Sequence, residues 1–196
     1  MTVAVFQPGL AAALYGAVSL AWVASFLLER LIIQSGRQKS AEVRSDKGSG
    51  VLIIVSIFGS ISIADVFAAT GFTILPVESL YPGLVMMVSG LGFRLWAVAT
   101  LRKFFTYTVQ VKTEHRVIQS GPYRLVRHPA YAGTLLTLVG VGFALQSWGA
   151  VLLIACVFTV AFGYRIRVEE RALVDSLGEE YLSYSRKVKR LVPFVF

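Results

Sequence analysis

Apolar residues along this chain are gathered into long blocks that alternate with shorter polar segments. Three blocks, residues 10–33, 50–70 and 81–101, exceed the roughly 18 apolar residues that a membrane-spanning helix requires. A fourth block, residues 131–164, is too long for one span and is interrupted by Gln-Ser-Trp-Gly at residues 146–149. The pattern therefore predicts five transmembrane helices, and the last two are expected to form a hairpin.

Two polar segments follow the third and the fifth spans. Residues 102–127 form the longest loop between two spans, and Gly121-Pro122-Tyr123 predicts a turn within it. The fifth helix is expected to continue to a C-cap at Gly178, and residues 179–189 are expected to form a short basic amphipathic helix at the membrane interface. The predicted fold class is all-α: a polytopic membrane protein with a cytoplasmic loop and a C-terminal interfacial helix.

Composition and charge agree with a membrane protein and predict its orientation. The chain is 56% hydrophobic over 196 residues, which favours one structural domain, with residues 1–101 as a three-helix membrane region and residues 102–196 as the loop, hairpin and C-terminal helix. Lys and Arg are concentrated after the first and third spans and in the tail, which predicts an outside N-terminus and a cytoplasmic C-terminus. The net charge of +8 is explained by this topology and by anionic lipid headgroups. Membrane lipids are therefore expected partners, and nucleic acid is not.

Several kinds of chemistry are not favoured by the residues present. The single cysteine, Cys156, lies inside the fifth span, so neither a disulfide framework nor a cysteine-based metal site is expected. His115 is the only second histidine that could accompany His128, which does not favour metal binding. The first apolar run is too long for the core of a signal peptide, so we expect it to remain in the mature protein.

His128 lies at the predicted start of the fourth span. Pro129 suits the first turn of a helix, where its missing N–H group costs nothing. The unpaired backbone N–H groups of such a helix start, together with the helix dipole, favour a bound anion. The alternative interpretation is an ordinary interfacial histidine at the membrane boundary.

Ionisable side chains also lie on the spans and on the extension of the fifth helix. Arg165 and Glu169 are four residues apart and share one helical face, so they are either an intrahelical ion pair or two groups that line one cavity. The adjacent Glu170 adds a carboxylate that local stability does not require. Arg94 and Asp65 lie within spans, where each costs about 2.5–3.5 kcal/mol at mid-helix, so an intramembrane pair or a contact with the lumen is expected.

The polar motifs together resemble those of the isoprenylcysteine carboxyl methyltransferase family, with phospholipid methyltransferases as more distant relatives. The resemblance covers about residues 104–196 and rests on Arg127-His128-Pro129-x-Tyr131-x-Gly133, Glu169-Glu170 and Gly178-Glu179-Glu180-Tyr181. It implies an integral membrane enzyme that moves a methyl group from S-adenosylmethionine to a carboxylate of a lipid-like substrate, such as a prenylated C-terminal cysteine. S-adenosylhomocysteine would be the product.

The resemblance also implies roles for individual residues. Arg165 and Glu169 would be catalytic, Arg165 by binding the substrate and Glu169 by binding the cofactor. A terminal carboxylate, with a pKa of about 3.5, is already ionised at neutral pH and needs no general base, and an arginine orients it through two hydrogen bonds. The other implied cofactor contacts, which involve no metal, are Gln110, His115, Arg116, Val117, Ile118, Tyr123, His128, Pro129, Ala130 and Tyr131.

Two other functions fit parts of the same pattern. An NADPH-dependent sterol or steroid reductase-like membrane enzyme would place the 2′-phosphate of its cofactor on Arg116, Arg124 and Arg127. A non-enzymatic membrane scaffold or small transporter would explain the spans but not why the polar groups cluster at one face. Binding of S-adenosylhomocysteine or of NADPH to purified protein distinguishes these functions.

Overall fold

A computed structural model describes residues 8–34, 42–44, 49–70, 74–105, 110–112 and 117–191. Within these residues the chain is almost entirely helical, as the predicted all-α class requires, and the ends of the long helices lie close to the ends of the predicted apolar blocks. One feature was not predicted, a short antiparallel strand pair in which Val43 lies opposite Val111. The elements are α1 (Pro8–Gln34), β1 (Glu42–Arg44), α2 (Ser49–Ala69), α3 (Leu80–Leu101), β2 (Gln110–Lys112), α4 (Pro129–Ala144), α5 (Trp148–Leu177) and α6 (Glu179–Lys187), with 3-10 turns at Val77–Ser79, Arg102–Phe104 and Gly121–Arg124.

The long helices present apolar faces to their surroundings, as a lipid environment requires. Two helical stretches in the described part of the chain, Val77–Leu101 and Trp148–Leu177, are long and apolar enough to cross a membrane. Three shorter apolar stretches are Tyr15–Glu29, Val55–Val66 and Pro129–Ala144. The 30 residues of α5 extend about 45 Å, which exceeds the roughly 30 Å of a bilayer core. Since the charged residues of α5 lie in its last turns, these turns, which carry Glu169 and Glu170, are expected to project beyond the membrane.

Glycines allow α3 and α4 to pack with their backbones in contact. A Cβ atom added at Gly90 would lie 2.6 Å from the carbonyl oxygen of Gly133, and one at Gly140 would lie 2.6 Å from that of Gly83. The two glycines on each helix are seven residues apart, so they lie on one side of it. Small residues at this spacing permit close helix approach in membranes. This contact sets the position of the first turn of α4 relative to α3.

Aromatic residues connect α4 to α5 in the protein core. Phe158 and Phe162 of α5 stack with ring centroids 4.0 Å apart, and Tyr131 of α4 meets Phe162 edge to face at 5.3 Å. Phe162 is 2% exposed. One helical turn further along the chain, Arg165 consequently lies beside Tyr131.

Arg94 and Asp65, the two ionisable residues identified within the spans, are not paired with each other. Arg94 of α3 forms its ion pair with Glu29 of α1, at 2.7 Å from Nε to Oε1. Asp65 lies on an exposed face of α2. The alternation of apolar and polar residues reveals which residues are buried, but the partner of a buried charge depends on how the helices are rotated against one another.

Candidate active site

The loop before α4 positions the first group of site residues. Pro129 occupies the first turn of α4 and His128 lies just before it, as the sequence predicts. The backbone of His128 is not helical, with φ −122° and ψ 60°. Tyr123 lies in the 3-10 turn, where it packs against Ala97 of α3 and Ala130 of α4. The turn begins at Gly121, whose φ of +56° favours glycine. The loop is thereby packed onto the ends of α3 and α4.

The hydroxyl group of Tyr131 lies between the two charged residues of α5. It donates a hydrogen bond to Oε2 of Glu169 at 2.7 Å and accepts one from Nε of Arg165 at 3.2 Å. Arg165 is 2% exposed. Arg165 and Glu169 are therefore linked through a tyrosine from another helix, and an isolated intrahelical ion pair would not require such a link. The candidate site thus combines one positive and one negative group close to the start of α4.

Glu170 binds three cationic or ionisable side chains. Its Oε1 atom lies 3.3 Å from Nε2 of His128 and 3.1 Å from a guanidinium nitrogen of Arg127, and its Oε2 atom accepts hydrogen bonds from Nε and Nη2 of Arg190 at 3.1 and 2.9 Å. Burial alone would raise the pKa of Glu170, but hydrogen bonds from His128 and Arg190 and the charge of Arg127 lower it to about 2. The carboxylate is ionised at neutral pH and orients the His128 ring.

The ring of His128 stacks on the ring of Tyr131. The two rings stack with centroids 5.5 Å apart and an interplanar angle of 10°. Glu170, whose role the sequence left open, contacts the edge of the His128 ring, and Glu169 accepts the hydrogen bond of the Tyr131 hydroxyl group. The two adjacent carboxylates therefore each contact one of the two stacked rings.

The C-terminal segment wraps around the loop before α4. The hydroxyl group of Tyr184 donates to the carbonyl oxygen of Tyr123 at 2.7 Å, and the Arg127 guanidinium donates to the carbonyl oxygen of Ser185 at 3.0 Å. The backbone N–H group of Arg127 donates to Lys189 at 2.8 Å. Tyr181 and Tyr184 are each 4% exposed. The predicted interfacial helix, α6, therefore turns its tyrosines toward the protein and covers the site.

Two buried donors in this region lack a hydrogen-bond partner among the residues that the structure describes. They are the hydroxyl group of Tyr181 and Nε of Arg127. Burial, and after it the charge of Glu170, raises the pKa of Tyr181 above its usual range, so this hydroxyl group keeps its proton. A buried donor without an acceptor costs about 1–3 kcal/mol. Both donors are therefore suited to an acceptor supplied by a ligand.

Most of the predicted site residues that can be placed lie together. Tyr123, His128 and Tyr131 surround the start of α4, and Val117 is linked to α6 because its N–H group donates to Oε1 of Glu180 at 3.2 Å. Gln110 lies in β2, whose backbone lies close to α5. His115 and Arg116 fall outside the described residues. Pro129 and Ala130 are buried in the first turn of α4, and Ile118 is half-buried beside Val117.

Sequence reasoning missed three residues that complete this site. The sequence indicates Arg190 only as one of the basic residues of the tail and Tyr181 only as part of a motif, and it indicates no role for Tyr184. The signal for the tyrosines was their spacing of three residues in α6, which places both on one face of a helix. Nothing local indicated that Arg190 binds Glu170, because the two lie 20 residues apart.

The apolar outer faces, the closely packed helices and the polar site at one end of the bundle define a polytopic helical membrane protein. Residues 83–175 match the model of the isoprenylcysteine carboxyl methyltransferase (ICMT) family. The resemblance predicted from the sequence is thereby confirmed.

Individual relatives agree with this result. The chain is 37% identical over 117 residues to a probable protein-S-isoprenylcysteine O-methyltransferase of Oryza sativa subsp. indica, covering 59% of this chain and 61% of that protein. It is 30% identical over 115 residues to the protein-S-isoprenylcysteine O-methyltransferase of Saccharomyces cerevisiae, covering 58% and 48%. The chain thus matches less than two thirds of the length of these relatives.

The fold resembles that of a solved membrane protein. The structure of the eukaryotic intramembrane Ras methyltransferase ICMT superposes with a TM-score of 0.68 and 23% sequence identity, covering 92% of this chain and 65% of that chain. This likeness extends over α1 and α2, which lie before the residues matched by the family model. The helical membrane fold is therefore shared over nearly the whole chain.

Proposed function

We propose that this protein is an integral membrane methyltransferase that moves a methyl group from S-adenosylmethionine to the carboxylate of a lipid-like substrate, such as a prenylated C-terminal cysteine. The observation that carries the proposal is the Tyr131 hydroxyl group hydrogen-bonded to both Glu169 and Arg165. It places one negative and one positive group in a single, partly buried region. The names of the relatives as O-methyltransferases support this chemistry.

The residues around the start of α4 suit the proposed cofactor. S-adenosylmethionine supplies a methyl group on a positively charged sulfur. Glu169 and the Tyr131 ring would bind its cationic groups. The N–H groups of Tyr131 and Ala132 already donate to the carbonyl oxygen of His128, so they are not available for the cofactor carboxylate that the sequence placed at this helix start. The unpartnered hydroxyl group of Tyr181 and Nε of Arg127 would supply two further hydrogen bonds to its acceptor atoms.

Arg165 is suited to the methyl acceptor. Its guanidinium is buried at 2% exposure, where a hydrogen bond to a carboxylate is stronger than in water. An acceptor carboxylate is already ionised at neutral pH, so Arg165 would need only to orient it toward the methyl group. Positioning and charge stabilisation are the main requirements of such a transfer, and no proton has to be removed.

We further propose that all five long helices cross the membrane, with an outside N-terminus and a cytoplasmic C-terminus. In this arrangement residues 1–101 form the membrane region before the site, and residues 102–196 supply the cofactor loop, the hairpin and the catalytic helix. Membrane lipids would contact the outer faces, and a lipid-bearing substrate would enter sideways between helices.

Cysteine labelling tests this topology. In a Cys156→Ala background, Glu78→Cys is expected to react with an impermeant maleimide added outside, and Lys187→Cys only after the membrane is opened. Both positions are exposed, and the positive-inside distribution places them on opposite sides. Reaction of Lys187→Cys in sealed vesicles of native orientation would contradict the topology.

Cofactor binding tests the proposed function. Calorimetry on the purified protein is expected to detect the binding of S-adenosylhomocysteine. His128→Ala is expected to weaken this binding by about tenfold, since the His128 ring orients Tyr131 and borders the helix start. Arg124→Ala is the matched control because Arg124 is an exposed basic residue of the same segment. Unchanged affinity in His128→Ala would remove this segment from the cofactor site. NADPH binding that Arg124→Ala weakens would instead identify a reductase.

A further inference from the structure

The ion pair between Glu29 and Arg94 lies deep in the helix bundle. Nε of Arg94 donates to Oε1 of Glu29 at 2.7 Å, and Nη2 donates to Oε2 at 2.9 Å. The side chain of Glu29 is 0% exposed and that of Arg94 is 8% exposed. Two parallel hydrogen bonds of this kind determine the orientation of the guanidinium as well as its position.

The remaining guanidinium nitrogen of Arg94 points to the first turn of α4. Nη1 donates to Oγ1 of Thr134 at 2.9 Å and approaches the carbonyl oxygen of Ala130 at 3.5 Å. The same guanidinium lies 5.4 Å above the ring of Phe26 of α1. Ala130 lies between His128 and Tyr131 in the sequence. Arg94 therefore links α1 directly to the turn that carries the site residues.

Helix packing alone does not require a charged pair at this place. Well-packed apolar residues of similar volume usually replace a buried ion pair with little loss of stability, or with a gain. The α3–α4 contact is also already formed by glycines whose backbones touch. What the pair adds is a planar, directed set of donors, whose geometry a hydrophobic contact does not reproduce.

We propose that Glu29 is a positioning residue for the active site. Glu29 holds the Arg94 guanidinium in one orientation, and Arg94 in turn sets the first turn of α4, so that His128 and Tyr131 face the two carboxylates of α5. The inference rests on the proposed function. It assigns a role in the site to α1, which lies outside residues 83–175 matched by the family model.

The decisive experiment compares single variants with an apolar double variant. Glu29→Leu is expected to lower the melting temperature because it leaves a buried, unpaired guanidinium. The double variant Glu29→Leu/Arg94→Met is expected to restore the melting temperature. Its kcat for a prenylcysteine analogue and its affinity for S-adenosylhomocysteine are nevertheless expected to stay about tenfold or more below those of the parent, because misplaced site residues lower the rate. Asp65→Asn is the matched control, since Asp65 is a span carboxylate on an exposed face of α2, and parent-like values are expected.

The outcomes separate positioning from packing. A double variant with parent-like stability, affinity and kcat would overturn the proposal, because the pair would then only join helices. If the double variant does not fold, Arg94→Lys decides, since it keeps the positive charge beside Glu29 but loses the planar set of donors: lowered affinity and kcat support positioning, and parent-like values overturn it. A parent protein that binds no S-adenosylhomocysteine would contradict the proposed function instead, while the pattern of melting temperatures would still report the ion pair.

Discussion

Replacement of Arg165 by alanine is expected to lower kcat/KM for a prenylcysteine analogue by at least about a hundredfold while leaving the affinity for S-adenosylhomocysteine nearly unchanged. Each charge-assisted hydrogen bond contributes about 1.5–3 kcal/mol, and a guanidinium makes two to a carboxylate. The side chain is buried at 2% exposure, so water does not replace it. Radiolabelled methyl transfer and calorimetry measure the two quantities separately.

Glu169→Gln is expected to give the reverse pattern on the same helix. Its amide oxygen still accepts the hydrogen bond from Tyr131, but the negative charge is lost, so binding of the positively charged S-adenosylmethionine is expected to weaken by about tenfold to a hundredfold. Arg167→Ala is the matched control, because Arg167 is exposed on another face of α5. If Arg165→Ala retained parent-like turnover, the assignment of the substrate carboxylate to Arg165 would be wrong.

A second large effect is expected at the contact between α3 and α4. Gly90→Ala places a methyl group 2.6 Å from both the backbone nitrogen of Thr137 and the carbonyl oxygen of Gly133. Neither backbone atom moves without separating the helices, so the cost is expected at or above the upper end of the usual 1–3 kcal/mol for overpacking. The melting temperature in detergent should fall markedly, and activity with it, since Tyr131 lies on α4.

Gly92 provides the control on the same helix. An added Cβ there meets nothing within 4 Å, and alanine favours a helix more than glycine does. Gly92→Ala should therefore match or slightly exceed the stability of the parent. Equal melting temperatures for Gly90→Ala and Gly92→Ala would show that the close backbone contact is absent in the membrane protein.

The sequence by itself determined the helices and part of the site. The third span was predicted at residues 81–101 and is Leu80–Leu101, because block length and polar interruptions are local properties of the chain. The four-residue spacing of Arg165 and Glu169 predicted that they share one helical face, and Pro129 predicted that His128 lies at a helix start. These inferences need only helical geometry and the conformational limits of proline.

Only the tertiary structure decided how groups from different helices meet. Glu29 became the partner of Arg94, Arg190 the partner of Glu170, and Tyr131 the link between Arg165 and Glu169. Each of these contacts depends on the rotation of one helix against another, which the glycine contacts between α3 and α4 and the aromatic contacts between α4 and α5 set. A buried charge must find a partner, but its identity depends on packing between segments far apart in the chain.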